Sequence, residues 1–145
     1  QGILDAYFVA FPAVKEYMDR TVAEARERGY TETLFGRRRR IPELSSGVRS
    51  IKMAGERQAM NAGIQGLAAD IFKVALVRID EAFAAGTHGA KLVLQVHDEV
   101  ICEVPHAALE EVKVEVVDIM NSAFEMRVPL AVNVATGSTW AAAKG

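Results

Sequence analysis

The chain has 145 residues, half of them hydrophobic and a quarter charged, a balance that excludes a disordered tail and suits one globular domain or a piece of one. No apolar run reaches the 18 or more residues that cross a bilayer and the start at Gln1 carries no charged-then-apolar leader, so membrane and secretory readings are set aside and a cytoplasmic setting is expected. The net charge of −2 conceals an asymmetry, because residues 28–57 hold eight Lys and Arg against three acidic residues, a local excess able to seat a polyanion.

Phe8, Phe11, Val14, Met18, Val22 and Ala25 step by three or four, the spacing of one helical face. Pro12 inside that pattern and Gly29 after it predict a helix over 12–28, with Arg26 and Arg28 suited to its carboxyl end. Residues 30–42, rich in Thr and aromatics with Gly36 at the middle, predict two short strands about a glycine turn. Arg37, Arg38, Arg39 and Arg40 follow that turn. One reading makes them the charged guard of an exposed edge strand, the other a phosphate contact that relieves their mutual repulsion.

Ser45 and Ser46 can cap a helix from about 47 to 61, and a second helical stretch runs from about 67 to 85. Gly63 and Gly66 in the join are expected to break the helix. Arg57, Asn61 and Gln65 lie four apart and share a face to the extent that the helix persists. A basic group followed by two amides suits contact with a phosphate and then with base edges, since amides both donate and accept. Exposed helices often carry such residues without that role, so spacing alone leaves both readings open.

Residues 90–104 read as two β-segments enclosing the polar triplet His97, Asp98 and Glu99, with Leu92, Leu94 and Val96 alternating on one side and Val100, Cys102 and Val104 on the other arm. Pro105 opens a helix through about 124 whose buried stripe is Leu109, Val112, Val116, Ile119 and Ala123, and 129–135 alternates as a last strand. Three β-segments with helices on one side predict an antiparallel α+β layer.

The acidic bend is the one position in the chain with the look of a metal site, because Mg²⁺ or Mn²⁺ favours hard oxygen ligands. Neighbouring residues of a strand point to opposite faces, so one of Asp98 and Glu99 is expected to ligate and the other to support. Two-metal phosphoryl transfer needs further carboxylates, and nothing else here clearly supplies them. His97 is either a turn residue or a proton donor to a neighbour. The sequence holds no G-x-G-x-x-G, Walker A or G-x-S-x-G motif, His88, His97 and His106 lack metal-binding spacing, and Cys102 reads as a core residue.

The stretch ERQAMNAGIQGLAADIFK at 56–73, then LVLQVHDEV at 92–100, GYTETLFGRRRRIPEL at 29–44 and the ending with Trp140, resembles in order and spacing the carboxy-terminal part of the polymerase domain of bacterial family A DNA polymerases. The similarity covers essentially the whole chain. It implies a palm-type antiparallel sheet packed by helices, with part of a helical fingers subdomain: about 1–85 as fingers-to-palm helices and small hairpin, about 86–145 as palm sheet and helix. It implies Asp98 as a catalytic carboxylate holding Mg²⁺, or Mn²⁺, with Glu99 assisting and His97 near the primer terminus. Arg57, Asn61 and Gln65 match residues on the template-primer duplex, the amides reaching the minor groove, whose shared acceptors report pair geometry without sequence. Arg37–Arg40 matches a basic stretch assigned to duplex or template backbone.

The expected partners are template-primer DNA and, in the complete enzyme, deoxynucleoside triphosphates, with no membrane. Gly63 stands where the family usually has Pro, Gly55 where it has Ala, and Asn133 and Ala135 replace Glu and Gly. The family's first metal-binding motif and its nucleotide-gripping helix are not among these residues, so the fragment by itself is expected to be inactive. The competing reading is a non-catalytic duplex DNA-binding module.

Overall fold

Pro12 is tolerated in the first turn of a helix because the amide it lacks has no partner there, and in the computed structural model, which describes residues 2–144, it starts α2 (Pro12–Arg28) directly after α1 (Gly2–Ala10). Gly29 ends α2 in the left-handed region at φ 76°, its N–H donating to the Ala25 carbonyl at 2.8 Å. The two expected strands follow as β1 (Tyr30–Glu32) and β2 (Arg38–Arg40), antiparallel with Tyr30 opposite Arg40 and Glu32 opposite Arg38. The Ile41 amide donates back to the Gly29 carbonyl at 3.0 Å, which ties the end of the hairpin to its start, and a 3-10 turn covers Pro42–Ser45.

The chain divides into two compact units, Gln1–Ala69 and Asp70–Gly145. The core of the first is Val22 and Ala25 from α2, Ile41 and Leu44 from the hairpin exit, and Ala59, with Met60 packed against them. Of the stripe that predicted the helix over 12–28, Val22 and Ala25 are buried, Phe8 and Met18 are half-buried, and Phe11 and Val14 are exposed.

The expected break at Gly63 and Gly66 is absent. Arg49–Ala85 is one helix of 37 residues, α3, which passes through the division at Ala69. A glycine inside a helix costs about 1 kcal/mol relative to alanine, which weakens a helix without stopping one held by its neighbours. These glycines are places of close approach. An added Cβ would stand 2.5 Å from the Tyr17 hydroxyl at Gly63 and 2.6 Å from the Thr33 methyl at Gly66. At Gly55 it would meet Glu43 Cβ at 2.9 Å and the Leu44 amide nitrogen at 3.1 Å. The missing side chains let α2, the β1–β2 hairpin and the 3-10 turn pack onto the helix backbone.

In the second unit β3 (Lys91–Val96) and β4 (Glu99–Glu103) form an antiparallel pair, followed by a 3-10 turn at His106–Ala108, α4 (Leu109–Asn121) and α5 (Trp140–Lys144). The core gathers Ile79 and Phe83 from the last turns of α3, Ala90, and Val112 from α4, with Leu92, Val100, Cys102, Val104, Val116 and Ile119 packed on it. The α+β character with antiparallel pairing is as expected, but two details are corrected.

The first is the single alternating face of Leu92, Leu94 and Val96. The ladder slips between Leu92 and Leu94, so Leu92 faces Cys102 while Leu94 faces Ile101. Directly opposed residues share a face, and the extra residue Val93 thus moves Leu94 and Val96 to the side away from Cys102. Leu94 is 48% exposed as a result. The second is the last strand, since no strand forms over 129–135. Leu130 and Val132 are half-buried between exposed neighbours but Val134 is exposed, so the alternation of faces survives only in part without a ladder. A period of two chooses which side chains turn inward; it does not supply a partner for the backbone amides. No described helix is long and apolar enough to cross a membrane.

Candidate active-site turn and nucleic-acid interface

Two residues, His97 and Asp98, connect β3 to β4, with Val96 and Glu99 as the closing pair. A two-residue hairpin loop requires positive φ at its first central position in one of its favoured forms, a role usually given to glycine. Here His97 takes it, at φ 55°, as the one non-glycine residue with positive φ among the described residues. The Gln95 side-chain amide donates to the His97 carbonyl at 3.1 Å and braces the turn from within the strand. His97 and Asp98 are both exposed, so the loop holds a carboxylate in solvent at a position fixed by the sheet.

Glu99 is the first residue of β4 and its Oε1 accepts from Lys144 Nζ of α5 at 2.8 Å. The ammonium of Lys144 also lies 5.4 Å from the centre of the Trp140 ring. The two acids thus have different surroundings, with Asp98 at the open tip and Glu99 held by a lysine. Among the described residues no three His, Cys, Asp or Glu side chains gather closely enough to hold a metal ion. Cys102, behind the turn, is half-buried in the apolar core, and burial pushes its thiol pKa up.

Because α3 runs unbroken, Arg57, Asn61 and Gln65 fall on one face of a single helix, each about 40° from the next by the 3.6-residue turn. All three are exposed, and among the described residues none of the three side chains has a hydrogen-bond or ion-pair partner. The row is available to an outside ligand along its whole length.

The four arginines do not form a uniform patch. Arg37 Nη2 donates to the Gly66 carbonyl at 2.9 Å and Arg39 Nη2 to Gln58 Oε1 at 3.3 Å, both on α3. Arg38, one residue along the strand and hence on the other face, meets Glu32 at 2.5 Å and stacks 4.8 Å from the centre of the Tyr30 ring. Its hydrogen bond to Glu32 raises its pKa further. Arg40 is exposed and has no such partner among the described residues. Three of the four thus have contacts that fasten the hairpin within its own unit.

Sequence reasoning missed Gln95 and Lys144 as partners of the turn. It also left His88 without a role. His88 Nδ1 accepts the Ala90 amide at 3.1 Å, and Nε2 lies 3.3 Å from Glu115 Oε2 but out of line for a hydrogen bond, beside a cavity of about 490 Å³. That places the Nε2 proton by default and anchors the start of β3.

Residues 1–142 match the family described as DNA polymerase family A. The chain is 47% identical over 144 residues to DNA polymerase I of Streptococcus pneumoniae, covering 99% of this chain and 16% of that protein. It is 46% identical over 144 residues to the thermostable DNA polymerase I of Thermus filiformis, covering 99% of this chain and 17% of that one. Among solved structures, the POL domain of Pol1 from M. smegmatis in complex with DNA primer-template and dNTP superposes with a TM-score of 0.93 at 42% identity, covering 98% of this chain and 25% of that one. The chain therefore spans about a sixth of the length of the curated relatives it matches, and it belongs to DNA polymerase family A.

Proposed function

We propose that this chain is the carboxy-terminal fingers-to-palm portion of a DNA-directed DNA polymerase, about 1–85 giving helices and the small hairpin and about 86–145 the palm sheet and helix. The parent reaction is attack of a primer 3′-hydroxyl on the α-phosphate of a deoxynucleoside triphosphate, with pyrophosphate leaving. The M. smegmatis relative was solved with primer-template and dNTP, and those partners are extended here to the polymerase that contains this chain. The setting that goes with this work is the bacterial cytoplasm, on the chromosome.

The observation that carries the reading is the exposed Asp98 carboxylate on a turn whose backbone is held at positive φ by its neighbours. Residues in such conformations persist where the surrounding structure over-determines them, and they concentrate at functional sites. The family implies a divalent metal cofactor, and the donor chemistry of Asp98 suits Mg²⁺, with Mn²⁺ as a substitute. With no three-ligand cluster among the described residues, Asp98 fits as one donor among several, the others coming from the rest of the polymerase and the substrate phosphates. Bound there, such ions supply charge stabilisation to the attacking and leaving oxygens.

The chain's own residues orient. The turn sets the backbone that carries Asp98, Glu99, paired with Lys144, acts as a supporting charge, and His97 approaches the primer end. Arg57 meets a phosphate while Asn61 and Gln65 touch minor-groove acceptors that every base pair shares, which checks geometry rather than sequence. That is the demand on a copying enzyme.

In the complete polymerase, Asp98→Ala is expected to lower primer extension by several orders of magnitude while duplex affinity changes less than about threefold, since phosphate contacts dominate affinity. Undiminished extension overturns the metal assignment. Loss of extension accompanied by an equal loss of duplex binding makes Asp98 a binding residue and favours the non-catalytic module. In the same assay the 145 residues alone are expected to give no template-dependent product, and synthesis by them contradicts the fragment reading.

A further inference from the structure

α5 is a helix of five residues with none of them buried, and a helix that short does not hold itself together in water. Three local devices hold this one. The Thr139 hydroxyl accepts the Ala142 amide at 3.1 Å and the Thr139 carbonyl accepts the Ala143 amide at 3.0 Å, which caps the amino end. Trp140 and Lys144 stand four apart and so share a face, and the ammonium lies over the indole ring at 5.4 Å, within cation-π range. Gly137 lets the chain fold back on the helix. A Cβ there would stand 2.6 Å from the Ala143 nitrogen and 2.8 Å from the Ala142 carbonyl carbon, backbone atoms that cannot turn aside as a side chain can. What this arrangement carries across to β4 is an ammonium, which donates to Glu99 Oε1 at 2.8 Å. Both partners are half exposed, and an ion pair of that kind adds little to stability. Its consequence lies in the charge beside Asp98.

We propose that Lys144 is a positioning residue for the catalytic turn: presented by α5, it engages the Glu99 carboxylate and keeps it from joining Asp98 on a divalent cation. This rests on the reading of Asp98 as a cation donor. Glu99 follows Asp98 directly, has one more methylene of reach and is itself a hard oxygen donor, so a dication at Asp98 attracts it too. The ammonium competes for the same oxygen and cancels its charge. Lys144 touches neither substrate nor metal in this scheme. A released Glu99 becomes a second protein donor where a water or a substrate phosphate oxygen belongs, which holds the ion more tightly in an arrangement less suited to transfer.

The experiment uses the complete polymerase with template-primer and reads two quantities, Mn²⁺ affinity from the relaxation of solvent water protons and the maximal rate of single-nucleotide extension with Mg²⁺. Lys144→Met is expected to tighten Mn²⁺ binding about threefold and lower the maximal rate about fivefold, less than a buried partner of a ligand would give because this pair is exposed. Its melting temperature is expected to stay within about 2 °C of wild type. Lys144→Arg keeps the charge and the donors, and both quantities are expected to remain within about twofold of wild type. In a Glu99→Gln background Lys144→Met is expected to change either quantity less than about twofold, because the carboxylate it restrained is gone.

Equal effects in the two backgrounds show a charge acting through space and overturn the proposal, as does a fall in melting temperature with affinity and rate unmoved. Gly137→Ala displaces α5 while leaving the charge in place, and is expected to shift affinity and rate in the same directions as Lys144→Met. No shift in that variant overturns the role given to α5. If Asp98→Ala leaves Mn²⁺ affinity unchanged, the cation reading itself fails and takes the proposal with it. If Asp98→Ala weakens Mn²⁺ binding while Lys144→Met matches wild type, the cation reading stands and Lys144 alone is removed.

Discussion

His97 occupies a conformation, φ 55°, that costs an L-residue with a Cβ roughly 1–2 kcal/mol. Glycine would relieve that cost but adds flexibility to the unfolded chain worth about 0.4–1 kcal/mol. His97→Gly is accordingly expected to hold the melting temperature or raise it slightly, while primer extension by the complete polymerase falls as the turn loses the imidazole. A clear drop in melting temperature shows instead that the side chain supports the fold. Cys102 offers a second check. Its thiol is held neutral by burial, so folded protein stays protonated where the unfolded thiol, with a pKa of about 8.5, ionises. The stability this gives is fully present below that pH and is lost as pH rises through the folded value. Peptide mapping after iodoacetamide at pH 8 is expected to show slow labelling of Cys102 in folded protein and fast labelling in denaturant, and equal rates contradict its burial. The acidic tip was legible because a polar triplet interrupts two apolar runs. The Lys144 partner of Glu99 was not, since the two are 45 residues apart and no local pattern joins them.

Among the elements, the helix over 12–28 and the arginine-bearing hairpin could be read from spacing and turn residues, because there local preference and burial agree. Gly63 and Gly66 misled for a physical reason: glycine signals both a break and a close approach, and only the neighbours Tyr17, Thr33 and Arg37 decide which. Residues 129–135 misled in the opposite way, showing the alternation of a strand without a strand to pair with. The division of the arginines also needed the structure. It gives a prediction at this scale, because Arg37, Arg38 and Arg39 are engaged by Gly66, Glu32 and Gln58 while Arg40 has no partner among the described residues. In the complete polymerase, Arg40→Gln is expected to reduce the slope of log affinity for duplex against log salt by about 1, uniformly across sequences. An unchanged slope means that Arg40 meets no phosphate.

At the scale of the molecule, the net charge of −2 would by itself argue against a polyanionic partner, and the sequence answered that objection through the basic excess in residues 28–57. Family membership was legible because several separated motifs stand in one order over nearly the whole chain. The relation between the acidic tip and the amide row is a property of the complete polymerase, and the account stands on the claim that Asp98 meets a divalent cation there. The direct measurement is Mn²⁺ binding, followed by the relaxation of solvent water protons, in the complete polymerase with template-primer and a non-hydrolysable deoxynucleotide. Wild-type enzyme is expected to bind Mn²⁺ tightly and Asp98→Ala at least tenfold more weakly, with duplex still bound. Equal Mn²⁺ affinity in the two proteins contradicts the account.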